Sequence, residues 1–409
     1  GNVGSSGVVK NVTVAGTVTG DYDGYFGGVC GMNYGSIVNC TNTCAIFGDY
    51  SGIYFGGVCG CNRGSIINCA NSGSVGPLDE GFDIYIFGGV CGFLETGSLI
   101  NCTNSGTISS GPYSMDFGGV CGLCVEGQII NCTNSGNISG AYASGEFGGV
   151  CGNVDYMCSL INCTSSGAIV TGEDNYSFGG VCGVNCYDNS IIANCYYDST
   201  LTGDMEGVGD DAGSSDVPGL PTEQMTAVSG TENALVDLLN NYIDTENLED
   251  CYHWAKTTDG YPYIAETTYK VTVNASENGN IFVPSGYMDP DAAVAVTVVP
   301  DVDYVLKNLK YNDGTDKDIT EAKSFTMPEA NVTVTAEFIQ SATDISEATT
   351  EAVNAPVYNG GEAIAPDDFN ITVTLLDGTV LSRDAYTISF YPDVNCTSGT
   401  EVAVITDAG

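Results

Sequence analysis

The chain has 409 residues, is 43% hydrophobic, and carries a formal net charge of −42 with nine Lys plus Arg. So acidic a chain repels the phosphates of nucleic acid and the anionic surfaces of membranes, so neither is an expected partner. It holds enough apolar residues to build a core, and its length suits roughly two to four domains.

No apolar run approaches the ~18 residues of a membrane-spanning helix. The chain opens on "GNVGSSGVVK" without an initiator Met or a basic, signal-like segment, and is expected to be an internal piece of a longer exported protein. The segment "FGGVCG" then recurs at Phe26, Phe55, Phe87, Phe117, Phe147 and Phe178. Its cysteines are Cys30, Cys59, Cys91, Cys121, Cys151 and Cys182, spaced 29 to 32 residues apart. About ten residues after each copy comes a second motif of the type "SIINCAN", with Cys40, Cys69, Cys102, Cys132, Cys163 and Cys195. A fixed period in this range marks a repeat architecture.

Each unit has three short β-prone stretches separated by Gly, Asn and Ser, with no room for a helix. The expected fold is all-β: a right-handed parallel β-helix of about seven coils, ~30 residues each, over 1–200. Stacking places like residues in columns. Ile37, Ile66, Leu99, Ile129, Leu160 and Ile191 or Ile192 form an aliphatic column. Asn39, Asn68, Asn101, Asn131, Asn162 and Asn194 form an amide ladder at a corner that Asn tolerates. Phe26 and its equivalents stack as aromatics. Phe26 and Val29 are three apart, so an unbroken strand cannot turn both inward. Either the chain bends at Gly27–Gly28 or Val29 faces out.

Of the 19 cysteines, twelve fall in the two columns and Cys44, Cys61, Cys124, Cys158, Cys186, Cys251 and Cys396 are scattered. Zinc sites need clustered ligands. The pairs Cys40/Cys44 and Cys121/Cys124 lack a second half, and His253 is the single histidine. Six identical thiols without a base do not make a nucleophile. Free buried thiols are expected. Disulfides between column neighbours stay open, because Cα atoms ~4.8 Å apart fall within bridging range.

The stretch "FGGVCGMNYGSIVNCTNTCAIFG" and its copies resemble the GLUG motif repeat of bacterial surface proteins. That resemblance covers about residues 1–200. It implies a large secreted or wall-attached protein, of a kind that in some members carries a protease elsewhere. Residues 201–266 resemble the segment that closes such arrays. They contain one helical pattern, Thr231 to Ile243, with Ala234, Leu235, Leu238, Leu239 and Ile243 on one face. This segment, with Trp254 and Tyr261, is expected to cap the open end of the solenoid. Residues 267–340, ending in "FTMPEANVTVTAEF", resemble the divergent internalin B-type repeat. A polar linker is expected at 341–355, and 356–409 resemble part of a bacterial Ig-like module.

Two function classes follow. The favoured one is a non-catalytic surface or secreted protein, an adhesin or stalk in the extracellular space or cell wall. It would bind a host or bacterial glycan or protein through tyrosines before each Phe: Tyr54, Tyr85, Tyr113, Tyr142 and Tyr176, with Tyr22, Tyr25 and Tyr50 on the same edge. The alternative is a carbohydrate-active enzyme, a glycoside hydrolase or lyase. The first 200 residues hold only Lys10 and Arg63 as cations, which excludes polyanionic substrates. Loop acids such as Asp79, Glu80 and Asp83 are the candidates for its catalytic carboxylate pair. One histidine cannot serve a His-Glu-x-x-His site, and His253 is expected to pack beside Trp254. No cofactor is expected. Calcium is the alternative at "GDMEGVGDDAGSSD", with Asp204, Glu206, Asp210, Asp211 and Asp216, although the spacing is not that of an EF-hand.

Overall fold

The computed structural model describes residues 1–20, 24–48, 54–78, 86–142, 144–213, 215–257, 260–302 and 304–340, and after them chiefly four strands. Residues 1–220 wind into a parallel β-solenoid of about six full coils. The expected seventh is shared between partial rungs at the two ends, Asn2–Val3 and Val208–Asp211.

Each coil contributes to five parallel sheets, not the three stretches expected per coil. In the second coil the strands are Tyr54–Gly56, Cys59–Asn62, Ser65–Ile67, Ala70–Asn71 and Val75–Pro77. They pair in register with the coils on either side, so Cys59 lies between Cys30 and Cys91, and Ile66 between Ile37 and Leu99. One of the extra breaks in each coil comes from a residue that leaves the extended region. Asn39, Asn68, Asn101, Asn131, Asn162 and Asn194 all have φ between 51° and 56°. That left-handed conformation ends the aliphatic strand one residue before the second cysteine.

The bend at the paired glycines divides the interior into two cores. Phe55, Phe87, Phe117 and Phe147 face one core, shared with Ile46, Val75, Ile108 and Ile138. Val58 and Cys59, with their equivalents, face the other, shared with the aliphatic column and the second cysteine column. Phe and Val are thus both buried, and the chain turns between them. The phenyl rings stack at 5.0 to 5.6 Å between centroids. Ile192 takes the aliphatic position, while Ile191 is 54% exposed.

A second amide ladder, not expected from sequence, separates the two cores. Asn42 donates Nδ2–H to Asn71 Oδ1 at 2.7 Å, Asn71 to Asn104 at 2.8 Å, and Asn104 to Asn134 at 2.8 Å. Each also closes a local turn, as Asn71 does by donating to Gly73 O and accepting from Gly73 N. This ladder explains the second glycine of the motif: a Cβ on Gly57 would lie 2.3 Å from Asn71 Cγ.

The sixth coil ends in "CYYD". Tyr197 replaces the inner amide, and its hydroxyl donates to Met205 O at 2.6 Å. Asp198 caps the short helix α1 (Ser199–Thr202), accepting from the backbone N–H groups of Thr200 and Leu201. Its other oxygen accepts from Thr222 and Tyr261. A short α2 (Thr222–Met225) follows, then α3 (Leu235–Glu246), which starts four residues later than the periodicity predicts. Asn233 has φ 57°, so the chain turns before the helix begins. Leu235, Val236, Leu239, Asn240 and Ile243 are its buried face.

The capping role is divided. The partial rung Val208–Asp211 covers the Cys sheet at the end of the solenoid. Residues 250–257 and 260–266 instead run as a strap along the solenoid's flank, across its outer amide ladder. Asn101 donates to Asp250 O and accepts from Tyr252 N. Asn131 donates to Tyr252 O and accepts from Trp254 Nε1 at 2.6 Å. Trp254 is fully buried, and its backbone is held by Asn240 of α3 at both N–H and C=O.

By internal packing the chain divides into two compact units. One comprises Gly1–Asn274, Ile281–Thr297 and Lys310–Thr335, and the other Ala275–Asn280, Val298–Leu309 and Ala336–Gly409. Within the first, beyond the strap, Val271–Val273 pairs in parallel with Val332–Val334, and Ala293–Ala295 pairs antiparallel with Ser324–Thr326. Phe325, Met327, Val332 and Val334, from the segment singled out in the sequence, are buried. In the second, Thr349–Asn354 pairs antiparallel with Asn370–Thr374, and Tyr386–Tyr391 with Val402–Asp407. The strand Thr349–Asn354 falls within the stretch expected as a linker.

Candidate functional site

The tyrosines do not form one edge. Register places Tyr25, Tyr54, Ile86, Asp116 and Glu146 in one column, immediately before each Phe. Tyr25 and Tyr54 stack at 5.2 Å, and Tyr54 stacks on Phe93 at 5.0 Å, making a three-ring platform. Tyr113 and Tyr142 meet edge to face at 5.8 Å in a separate loop column, 58% and 47% exposed. Tyr176 belongs to neither group: it pairs with Gly145, and a Cβ there would lie 2.4 Å from its ring. Tyr22, Tyr50 and Tyr85 lie outside the described residues, as do Asp79, Glu80 and Asp83. A further exposed pair, Tyr156 and Tyr187 at 5.9 Å, was not anticipated.

In the fourth and fifth coils the column before Phe changes from aromatic or aliphatic to acidic. Asp116 and Glu146 stand one rung apart, with φ 56° and 62°. Asp116 is 7% exposed, and its Oδ1 has no hydrogen-bond partner. Asn153 donates to Glu146 Oε2 at 3.1 Å and accepts from the Cys186 thiol. Burial, with the Glu146 carboxyl beside it, holds Asp116 well above the usual carboxyl range. The signal in the sequence was the replacement of Tyr or Ile by Asp and Glu in "MDFGGVCG" and "GEFGGVCG".

The described cysteines are free thiols, all buried except the half-exposed Cys186 and Cys251. Cys30 and Cys59 Sγ lie 3.5 Å apart. Other thiols donate to nearby carbonyls, as Cys132 does to Ile130 and Leu99. Burial pushes the Cys91, Cys132 and Cys151 thiols well up and disfavours their thiolates, whereas, against the same burial, hydrogen bonds from neighbouring thiols and backbone draw Cys59, Cys121 and Cys163 down. Among the described residues no three His, Cys, Asp or Glu side chains gather as a metal site. In the acidic loop Asp211 accepts from Asn185 Nδ2, Gly213 N and Ser215 N, so its oxygens serve the turn. His253 does not simply pack beside Trp254. Its Nε2 lies 2.9 Å from Asp244 Oδ1, and its ring stacks on Tyr287 at 3.8 Å.

The strap leaves a groove along the solenoid flank, in two lobes that share Thr103 and Ile264. One lobe, of about 290 Å3, lies among Asn39, Thr41, Asn68 and Tyr252. The other, of about 420 Å3, lies among Thr133, Ser135, Ser166, Tyr261 and Tyr263. Among the residues lining either lobe, Glu266 is the one charged side chain.

Comparison with known proteins finds a GLUG motif at residues 85–109 and a divergent InlB B-repeat domain at residues 269–342. No curated protein matches the chain. A solved structure from Bacteroides ovatus, described provisionally as an immunoglobulin A1 protease, is similar at a TM-score of 0.43 and 21% identity. The match covers 64% of this chain and 76% of that one. That likeness assigns no activity to this chain.

Proposed function

We propose that this chain is a non-catalytic part of an extracellular bacterial surface protein. The solenoid would act as a stalk and adhesive rod, with the InlB B-repeat and an Ig-like module as spacers, and would bind a host or bacterial glycan or protein. The observation that carries this reading is the set of paired tyrosines on the outside of the coil, exposed but for the half-buried Tyr54: Tyr25 with Tyr54, Tyr113 with Tyr142, and Tyr156 with Tyr187. Exposed aromatic rings held in fixed geometry suit sugar faces and protein surfaces alike, at small entropic cost. The test is an array of neutral and acidic glycans probed with the chain and with the double variant Tyr113→Ala/Tyr142→Ala. Binding by the wild type that drops at least tenfold in the variant supports the reading. A chain that binds nothing on the array, and no purified host surface protein, sinks it.

The Asp116–Glu146 pair favours a second reading, a carbohydrate-active enzyme on the same rod. A carboxyl whose proton burial holds to a higher pH, with a second carboxyl one rung away, offers elements of general acid–base chemistry. Hydrolysis of an array glycan by the wild type, lost in both Asp116→Asn and Glu146→Gln, would establish it. Binding without turnover leaves the first reading standing.

A further inference from the structure

We propose that the groove beneath the strap is a binding site for a linear, neutral oligosaccharide. This deepens the surface-rod reading and rests on it, but places the ligand at residues other than the exposed tyrosines.

The groove is built by the meeting of two segments distant in sequence. On the solenoid side its floor is the outer position of one sheet, where Thr41, Ala70, Thr103 and Thr133 follow one another in register. From the coil of Asn39 to that of Ser166 is four rungs, so the floor runs ~19 Å at the ~4.8 Å strand spacing. A repeat of small polar side chains at that pitch suits a polymer that offers hydroxyls at a similar advance per unit. On the strap side stand Tyr252, Tyr261 and Tyr263, with Ile264 at the junction of the lobes. Concave sites of this size with few polar anchors are where small ligands bind.

The outer amide ladder adds a directed donor. Each Asn gives its Nδ2–H to the residue one coil earlier: Asn194 to Asn162, Asn162 to Asn131, Asn131 to Asn101, Asn101 to Asn68, and Asn68 to Asn39. Aligned bonds polarise one another. The chain of amides ends at Asn39 in the mouth of the first lobe. Its Nδ2 meets no protein acceptor among the described residues, and neither does Thr103 Oγ1 at the waist. A sugar hydroxyl both accepts and donates, and so can meet both groups.

Charge decides the class. No Lys or Arg lines either lobe, and Glu266 would repel a carboxylate or sulfate. Acidic glycans and phosphate-bearing ligands are therefore excluded, and a neutral chain remains.

The test is calorimetric titration of the whole chain with β-1,4-linked glucose, xylose and mannose oligomers of two to six units. At least one series should bind, with affinity rising with length and levelling off once the oligomer spans the floor. Thr103→Tyr should weaken that binding at least tenfold by filling the waist. The same column already carries Tyr196 in the sixth coil, so the fold accepts a ring there. Asn39→Gly keeps the left-handed corner but deletes the terminal amide, and should weaken binding about threefold to tenfold. Far-ultraviolet circular dichroism identical to wild type certifies both variants. Absence of binding by every series overturns the groove. So does binding that both groove variants leave intact and Tyr113→Ala/Tyr142→Ala abolishes, and in that case the surface-rod reading survives.

Discussion

Asn131 shows how much one side chain can carry. Its Nδ2 donates to Asn101 and to Tyr252 O, and its Oδ1 accepts from Asn162 and from Trp254 Nε1. It does so in the left-handed region, at φ 54°. Asn131→Ala removes four hydrogen bonds, three of them to the buried residues Asn101, Asn162 and Trp254, and adds backbone strain, so it should cost about 3 kcal/mol or more. Asn131→Gly should recover roughly 1–2 kcal/mol of that, the strain alone. Urea denaturation of the two variants measures the split, and equal losses would mean the corner is unstrained. Asp116 makes a different demand. The folded chain holds its proton to a higher pH than the unfolded chain, whose ordinary value is 3.8. The stability this gives is fully present below that value and is lost as pH rises through the folded-state value. Asp116→Asn removes the dependence. The melting temperature of the variant should therefore gain on wild type steadily from about pH 4 towards neutrality, each unit of displacement being worth about 1.4 kcal/mol. A constant difference across that range would place the proton elsewhere. The amide corner was legible in the sequence because six copies repeat it. Its bonds to Tyr252 and Trp254 were not, because they join residues more than 100 positions apart.

At the scale of the coil, what the sequence reveals is whatever repeats by identity. The aliphatic, phenyl and cysteine columns could be read from spacing alone, and the glycine bend resolves the orientation that periodicity left open. The five-sheet section could not be read, because one break depends on backbone conformation at Asn and the next on a turn closed by the side chain of Asn71 and its equivalents, rather than on a change of residue type. The tyrosines misled for a related reason. They do not stand at one offset: Tyr25 and Tyr54 immediately precede their Phe, Tyr176 comes two residues before, Tyr113 four and Tyr142 five. Residues so spaced need not share a column in space. The cysteine columns yield a prediction of their own. Their thiols are buried within a stack that opens only when the coils separate, whereas Cys186 and Cys251 are partly accessible. Brief treatment of the folded chain with iodoacetamide, read by peptide mass mapping, should modify those two first among the described cysteines. The columns should react only after denaturant is added. Early labelling of Cys91 or Cys132 would mean the coils open under native conditions.

The whole molecule carries 51 acidic against nine basic side chains, and this sets which partners can approach it. Among the described residues several of those bases are already paired on the surface: Arg63 with Glu95, Lys307 with Glu337, and Lys310 with Asp316. The net field is thus negative, and it acts over roughly a Debye length, ~8 Å at physiological salt and ~3 Å at 1 M. A neutral oligosaccharide in the flank groove feels no part of it, because its hydrogen bonds and ring contacts are short-ranged. A basic protein docking on the tyrosines would be steered by it and would lose that attraction as salt rises. Titrations at low salt and at ~0.5 M salt therefore separate two ligand classes that the surface-rod reading allows. Glycan affinity should change less than about twofold, since no ion pair forms, whereas a basic protein should bind at least tenfold more weakly at the higher salt. Strong salt dependence of the oligosaccharide affinity would mean that a charged group takes part in its binding. Glu266, the one charge in the groove lining, would then be the residue to replace first.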